Sequence, residues 1–248
     1  MQLTHMLQKW TVLAVLTLMS VSALADGTVT QLAGTITAKR SGDVLALSRG
    51  STVKEGDIIT TEKGAYAQIK FSDGMVMTLK PSTQVAIKEQ HFEENEPEKD
   101  KFTLGLLKGG LRTISGLISK RGNRDAYKMN TATATIGIRG TVFDVDDCST
   151  SKCTKGSAKI DETGVVDAKT KTDVSDEVAP AVYVGVHEGE VVMKNDAGEL
   201  TLSAGQFGIA PASTVIPLQL PGDPGLSQIS SLGGSSVEGE TFSIQNCK

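Results

Sequence analysis

The sequence predicts an all-β fold, a sandwich or a barrel, with one short helix and long polar loops. Short runs of alternating or β-branched residues recur about every 8–12 residues, separated by Gly, Asp-Gly or Pro, a spacing typical of such folds. Only Ile114–Lys120 has the pattern of a helix, and it is short, interrupted by Gly116 and closed by Gly122. The run from Ala134 to Val145, ATIGIRGTVFDV, is as β-branched and apolar as a buried strand, yet it carries Gly137, Arg139 and Gly140 in its middle.

The chain has 248 residues and a formal net charge of −4. Lys9 precedes an apolar stretch, Trp10–Met19, that is too short for a bilayer core of about 30 Å. Ala23-Leu24-Ala25 then fits the small-x-small cleavage rule, so residues 1–25 are expected to be a secretory signal peptide; an uncleaved anchor is the alternative. No cysteine follows the cut to carry a lipid, and no other stretch is apolar enough to span a membrane. The mild acidity argues against nucleic acid as a partner. The one Trp, Trp10, leaves with the signal, so aromatic surface is scarce.

Strands are expected at 28–32, 34–40, 43–48, 57–61, 65–71, 75–80, 84–92, 101–107, 126–131, 133–138, 141–146, 181–188, 190–195, 198–203 and 206–210. In AYAQIKFSDGMVMTL, a three-residue loop Ser72-Asp73-Gly74 pairs Phe71 with Met75 and Ile69 with Met77. It puts all the apolar side chains on one face, whereas a two-residue turn would split them; Gly74 is then left-handed in a bulge. A weak repeat also shows. GTITAKRSGDVLALSRG (34–50) overlays GEVVMKNDAGELTLSAG (189–205) without a gap, through duplication or through convergence of two hairpins.

In the run 134–145, Ile136 and Ile138 share one parity, and Phe143 and Val145 the other. The apolar face therefore changes sides at Arg139-Gly140-Thr141. An extra residue or a sharp bend is needed there, and Gly bends at least steric cost. Gly137, Arg139, Gly140 and Thr141 are accordingly expected to form a corner where one strand passes from one sheet to another. A partly buried Arg139 then requires a carboxylate or water.

Three stretches read as interruptions: the charged 93–101; the Lys/Thr/Ser/Asp-rich insertion 149–181, with a small hairpin at Ile160–Ala168; and the Pro/Gly/Ser-rich tail 211–248. The sandwich domain is thus expected at 26–210. Cys148 and Cys153 would close a small loop in an oxidising compartment, leaving Cys247 over; spacing does not exclude Cys247 pairing with either.

Chemistry is sparse. His91 and His187 lie near no strained Ser turn, so no nucleophile is expected, nor any cofactor. Asp144, Asp146 and Asp147 are the one candidate metal cluster, but no calcium-loop pattern follows, and solvated strand-end carboxylates, one paired with Arg139, are favoured. Lys108, Arg112, Lys120, Arg121, Arg124 and Lys128 stand against Asp125 alone, a candidate interaction patch. A solvated flank balanced by the acidic loop 93–100 is the plainer reading.

ATIGIRGTVFDV, with FSDG upstream, resembles the signature of the FecR domain, the periplasmic part of ferric-citrate-type regulators. GTVTQLAGTITA, VKEGDIITTEKGAYAQIKFSDGMVMTLKPSTQVAI, GGLRTISGLISKRGN and YVGVHEGEVVMKNDAGELTLSAGQ are similar to the family in order, over most of residues 27–210. The resemblance implies a jelly-roll-like β-sandwich in the periplasm of a Gram-negative cell. Full regulators of this type carry a cytoplasmic segment and a membrane helix before the domain. The export signal here implies the sensory domain as a stand-alone exported protein, unable to hold a sigma factor itself.

The expected function is a non-enzymatic module for protein–protein interaction or signal sensing in the cell envelope, periplasmic or secreted. Its partner would be an envelope protein, engaged by strand addition or through residues 108–128. The alternative is an anionic glycan or small carboxylate ligand read by Arg112, Arg121 or Arg139.

Overall fold

The computed structural model describes residues 27–121, 123, 125–150, 153 and 178–225. The expected signal segment, the Ile160–Ala168 hairpin, Arg124 and Cys247 lie outside the described residues. Among the described residues fifteen strands follow one another: β1 (Gly27–Ala33), β2 (Ile36–Arg40), β3 (Asp43–Ala46), β4 (Thr52–Val53), β5 (Ile58–Thr61), β6 (Tyr66–Phe71), β7 (Val76–Leu79), β8 (Gln84–His91), β9 (Lys101–Ile114), β10 (Tyr127–Asn130), β11 (Thr135–Asp147), β12 (Val182–Asn195), β13 (Gly198–Ser203), β14 (Phe207–Ala210) and β15 (Leu218–Leu220). The fold is all-β, as expected.

Three long strands organise the pairing. The first half of β9 lies between β8 and β10, and its second half between β7 and β11. β11 pairs with β10 up to Gly137 and with β9 from Val142 onward. β12 runs beside β14 in its first half and beside β13 in its second. Two layers result. One reads β3-β2-β5-β8-β9-β10-β11-β12-β13; the other reads β4-β1-β6-β7-β9-β11-β12-β14-β15. All pairs are antiparallel except β9–β10. The layers share one core, crossed by an aromatic chain: Phe71 against Phe102 (5.0 Å), Phe102 on Tyr127 (5.3 Å) and Tyr127 against Phe143 (6.5 Å). Each such pair adds about 0.5–1.5 kcal/mol beyond its buried area.

Each long strand passes between layers at one left-handed glycine: Gly109 (φ 79°) in β9, Gly140 (φ 61°) in β11 and Gly189 (φ 76°) in β12. The β11–β12 register shifts between Arg139 and Val142, which is the parity change seen in the sequence. Thr141, almost fully buried, fastens the crease. Its Oγ1 donates to the Glu190 carbonyl (2.9 Å), and its N–H donates to Ser115 Oγ (2.7 Å). A Cβ on Gly189 would collide with the Gly140 carbonyl, so the two creases nest. Gly137 differs. It lies in the straight half of β11 opposite Lys128 and Val192, and a Cβ there would meet nothing within 4 Å.

The two similar sequence segments form matching hairpins. Thr37 faces Ala46 and Ala38 faces Leu45 in the first; Val192 faces Thr201 and Met193 faces Leu200 in the second, the same positions of the overlay. Gly34 and Gly189 are both left-handed, as are Gly50 and Gly205. Even the caps correspond: Ser48 N–H donates to Ser51 Oγ (2.9 Å), and Ser203 N–H to Gln206 Oε1 (2.7 Å). Unrelated hairpins have no need to agree in crease, register and cap together, which favours duplication.

The Ser72-Asp73-Gly74 hairpin has the expected register, Ile69 opposite Met77, with Phe71 N–H donating to the Met75 carbonyl and Gly74 left-handed (φ 86°). The helix expected at Ile114–Lys120 is absent. β9 runs through Ile114, and the next residues are pinned on Asp73: Leu117 N–H donates to its carbonyl (2.9 Å), Ile118 N–H to its carboxylate (3.3 Å). A seven-residue helix is too short to sustain itself against strand partners on both sides. The one helical piece among the described residues is a 3-10 turn at Pro97–Lys99. Within the expected tail 211–248, β15 pairs with β14 at the edge of its layer.

If the crease governs the fold, Gly189→Ala should cost at least about 2 kcal/mol, from left-handed strain plus the carbonyl collision. Gly137→Ala should stay within about 0.5 kcal/mol of the parent or gain stability. Urea unfolding of the two variants measures both.

Candidate functional site

The basic residues of 108–128 do not gather into one patch. Arg112 grips Asp144 with two bonds (Nε–Oδ1 2.8 Å, Nη2–Oδ2 2.7 Å). Arg121 holds the acidic excursion in place: it bonds Asp100 (3.0 Å) and the carbonyls of Glu93 (2.7 Å) and Glu94 (2.6 Å), and lies over the Phe92 ring. Lys120 packs along Gly140, Lys108 sits exposed opposite Gln84, and Lys128 points onto the outer face of the first layer. Of the described cations, Arg112 and Arg121 are thus matched within the fold.

The aspartates of DVDDC are buried, not solvated. Lys80, at the end of β7, places Nζ 2.8 Å from both oxygens of Asp146, with side-chain exposures of 6% and 13%. Gly110 lies between them in register, and a Cβ on it would occupy the Asp146 carboxylate's place. Asp144 accepts from Arg112 and from His187 Nε2 (2.7 Å). Asp147 caps the following turn, accepting from Ser149. Arg139 pairs with Glu190 instead (2.7 Å), at the surface.

Burial works to raise Asp144, but hydrogen bonds from His187 and Arg112 outweigh it and hold the carboxyl at about 2. Burial raises Asp146 against the opposing charge of Lys80. Asp73 is raised too, by burial, against backbone bonds from Met75 and Ile118. A cavity of about 30 Å³ lies against Lys80, Asp144, Asp146, Tyr183, His187 and Asp223, room for about one water.

Neither histidine has a nucleophile to activate: His187 faces Asp144 and Arg112, and His91 faces Glu93. Among the described residues no three His, Cys, Asp or Glu side chains are set to hold a metal. Cys148 and Cys153 are joined by a disulfide. It sits at the root of the 149–181 insertion, where Cys148 N–H donates to the Ala181 carbonyl (2.9 Å).

A second concavity, of about 760 Å³, opens on the outer face of the first layer across β10–β13. Lys128, Arg139 and Lys194 line it together with Asp125, Asp196 and Glu199, and Gly137 lies at its floor. A strand-interior glycine costs about 0.5–1 kcal/mol relative to alanine. Neither φ nor space requires it here, in contrast to Gly140.

Sequence reasoning singled out Asp146 but missed its partner, Lys80. The signal was present: Lys80 closes the apolar run MVMTLK, and Asp146 interrupts an apolar strand. Their pairing spans 66 residues and depends on a register that no local pattern reveals.

Two outcomes follow. Lys80→Met should destabilise by about 3–5 kcal/mol by stranding a buried carboxylate, and adding Asp146→Leu should recover most of that loss. The Asp144 carboxyl lies below its ordinary 3.8, so its stabilising contribution is whole above about pH 4 and is lost as pH falls toward 2. Asp144→Asn should therefore flatten the acid limb of a stability–pH curve in that window. Asp73 and Asp146, raised, act with the opposite sign.

Residues 57–159 match the family model described as FecR protein. The match runs from β5 to just beyond the disulfide and holds Lys80, Arg112, Asp144 and Asp146; the two matching hairpin units lie on either side of it. No curated protein matches. Two crystal structures of a candidate anti-sigma factor from Parabacteroides distasonis ATCC 8503 are similar, with 14% identity and TM-scores of 0.43 and 0.42. The similarity covers 67% of this chain and 60% of that one. The resemblance read in ATIGIRGTVFDV and its neighbours is borne out over residues 57–159, where the chain is similar to the FecR family.

Proposed function

We propose that this chain is a non-catalytic signal-transduction module, exported to the cell envelope, that works by adding an extended segment of a protein partner to its sheet. The FecR match supports the regulatory reading. No helix among the described residues is long and apolar enough to cross a membrane.

The observation that carries the binding mode is β3. Among the described residues it pairs with β2 alone, all four of its residues are exposed, and Val44 shows 67% of its surface. Only the start of the matching strand β13 is approached by the chain that follows it. Ile216 lies over Gly198, and Asn195 Nδ2 donates to the carbonyls of Ala212 (3.0 Å) and Val215 (2.7 Å). An uncovered edge with outward Val44 and Leu45 is what proteins normally blunt, and it serves as a template for strand addition.

The alternative, an anionic ligand, has lost two of its readers, because Arg112 and Arg121 are engaged inside the fold. Arg139 remains at the surface, beside carboxylates.

A photoreactive residue at Val44 in the full chain, made in envelope-bearing cells, should trap one discrete protein adduct, and the same residue at Glu188 should not. Equal adducts from both positions, or none from Val44, would contradict strand addition.

A further inference from the structure

Gly137 is a strand-interior glycine that the fold does not explain. Its backbone is extended, its neighbours Lys128 and Val192 are in regular register, and a Cβ would touch nothing within 4 Å. A glycine inside a strand weakens it and commonly marks a place where a ligand or another backbone comes close. What Gly137 preserves is depth, at the floor of the groove of about 760 Å³ across β10–β13.

The walls indicate what the groove accepts. Lys194 stands opposite Glu199 in register, Arg139 is bonded to Glu190, and Lys128 shares its wall with Asp125. Each positive charge thus has a negative neighbour, and the groove carries no single sign. A polyanion would meet Asp125, Asp196 and Glu199 as well as the cations. A flat sugar would find no aromatic side chain among the lining residues. An apolar chain would find little beyond Val192 and Ile138, and Ile138 is buried. Asn130, Thr135 and Thr201 supply further donors and acceptors. An extended peptide bearing both carboxylates and ammonium groups can satisfy this lining, with its backbone lying where a side chain at position 137 would otherwise project.

We propose that the groove across β10–β13 is a binding site for an extended peptide segment of mixed charge, seated over Gly137. It lies at the opposite end of the first layer from β3 and stands whether or not that edge is used.

The test uses the full chain and three series of fluorescent short peptides: Glu/Lys/Ser in mixed order, all-Glu and all-Lys. Fluorescence polarisation should show the mixed series binding the parent best. Gly137→Leu, whose Cβ would meet nothing within 4 Å, should weaken that binding at least about tenfold with the melting temperature preserved. Lys194→Glu, which removes one cation from the wall, should shift preference toward the all-Lys series, and this holds the proposal to account should Gly137→Leu fold poorly. No binding of the mixed series to the parent, equal binding to a folded Gly137→Leu, an unchanged preference in Lys194→Glu, or tighter binding of all-Glu peptides would each overturn it.

Discussion

The fold depends on one backbone constraint: three strands have to serve two layers, and each turns at a single left-handed glycine. Gly109, Gly140 and Gly189 are the positions where β9, β11 and β12 leave one layer for the other. L-residues pay about 1–2 kcal/mol to adopt that conformation, so the crease selects glycine by backbone energy before packing is considered. The Gly140 carbonyl fills the space that a Gly189 side chain would need, which makes the two bends one joint. Only with this joint can Phe71 and Phe143 of one layer close over Phe102 and Tyr127 of the other.

The buried charges follow from the same geometry. Beyond the crease, the register sets Arg112 opposite Asp144 and Gly110 opposite Asp146, and Lys80 reaches the latter across the missing side chain. Buried ion pairs of this kind are poor sources of net stability but costly to break from one side. They therefore act against alternative registers, where the same charges would be stranded in the sheet. Two cations of the basic stretch 108–128, Arg112 and Arg121, are likewise engaged within the fold. What remains outward is an uncovered edge and a groove of balanced charge.

Local pattern made some of this legible. The parity of Phe71, Met75 and Met77 specified the hairpin down to its bulge, because one face of each strand is buried and a one-residue slip would expose it. The parity change around Gly140 announced the crease. The sequence could not show that 101–107 continues to Ile114, because Gly109-Gly110 reads as a loop until partners on both sides are known. The short helix failed for the same reason: tertiary pairing outweighed a weak local pattern. Gly137 and Gly140 looked alike in the sequence, yet one bends the chain and the other leaves space.

The account's central claim is that β11 changes neighbours at Gly140, and nuclear Overhauser contacts between backbone protons test it most directly. Gly137 should show cross-strand contacts to Lys128, and Asp144 to Arg112, with no contact linking β10 to the part of β11 beyond Val142. Contacts placing β11 beside one and the same strand along its whole length would contradict the two-layer architecture and everything derived from its register.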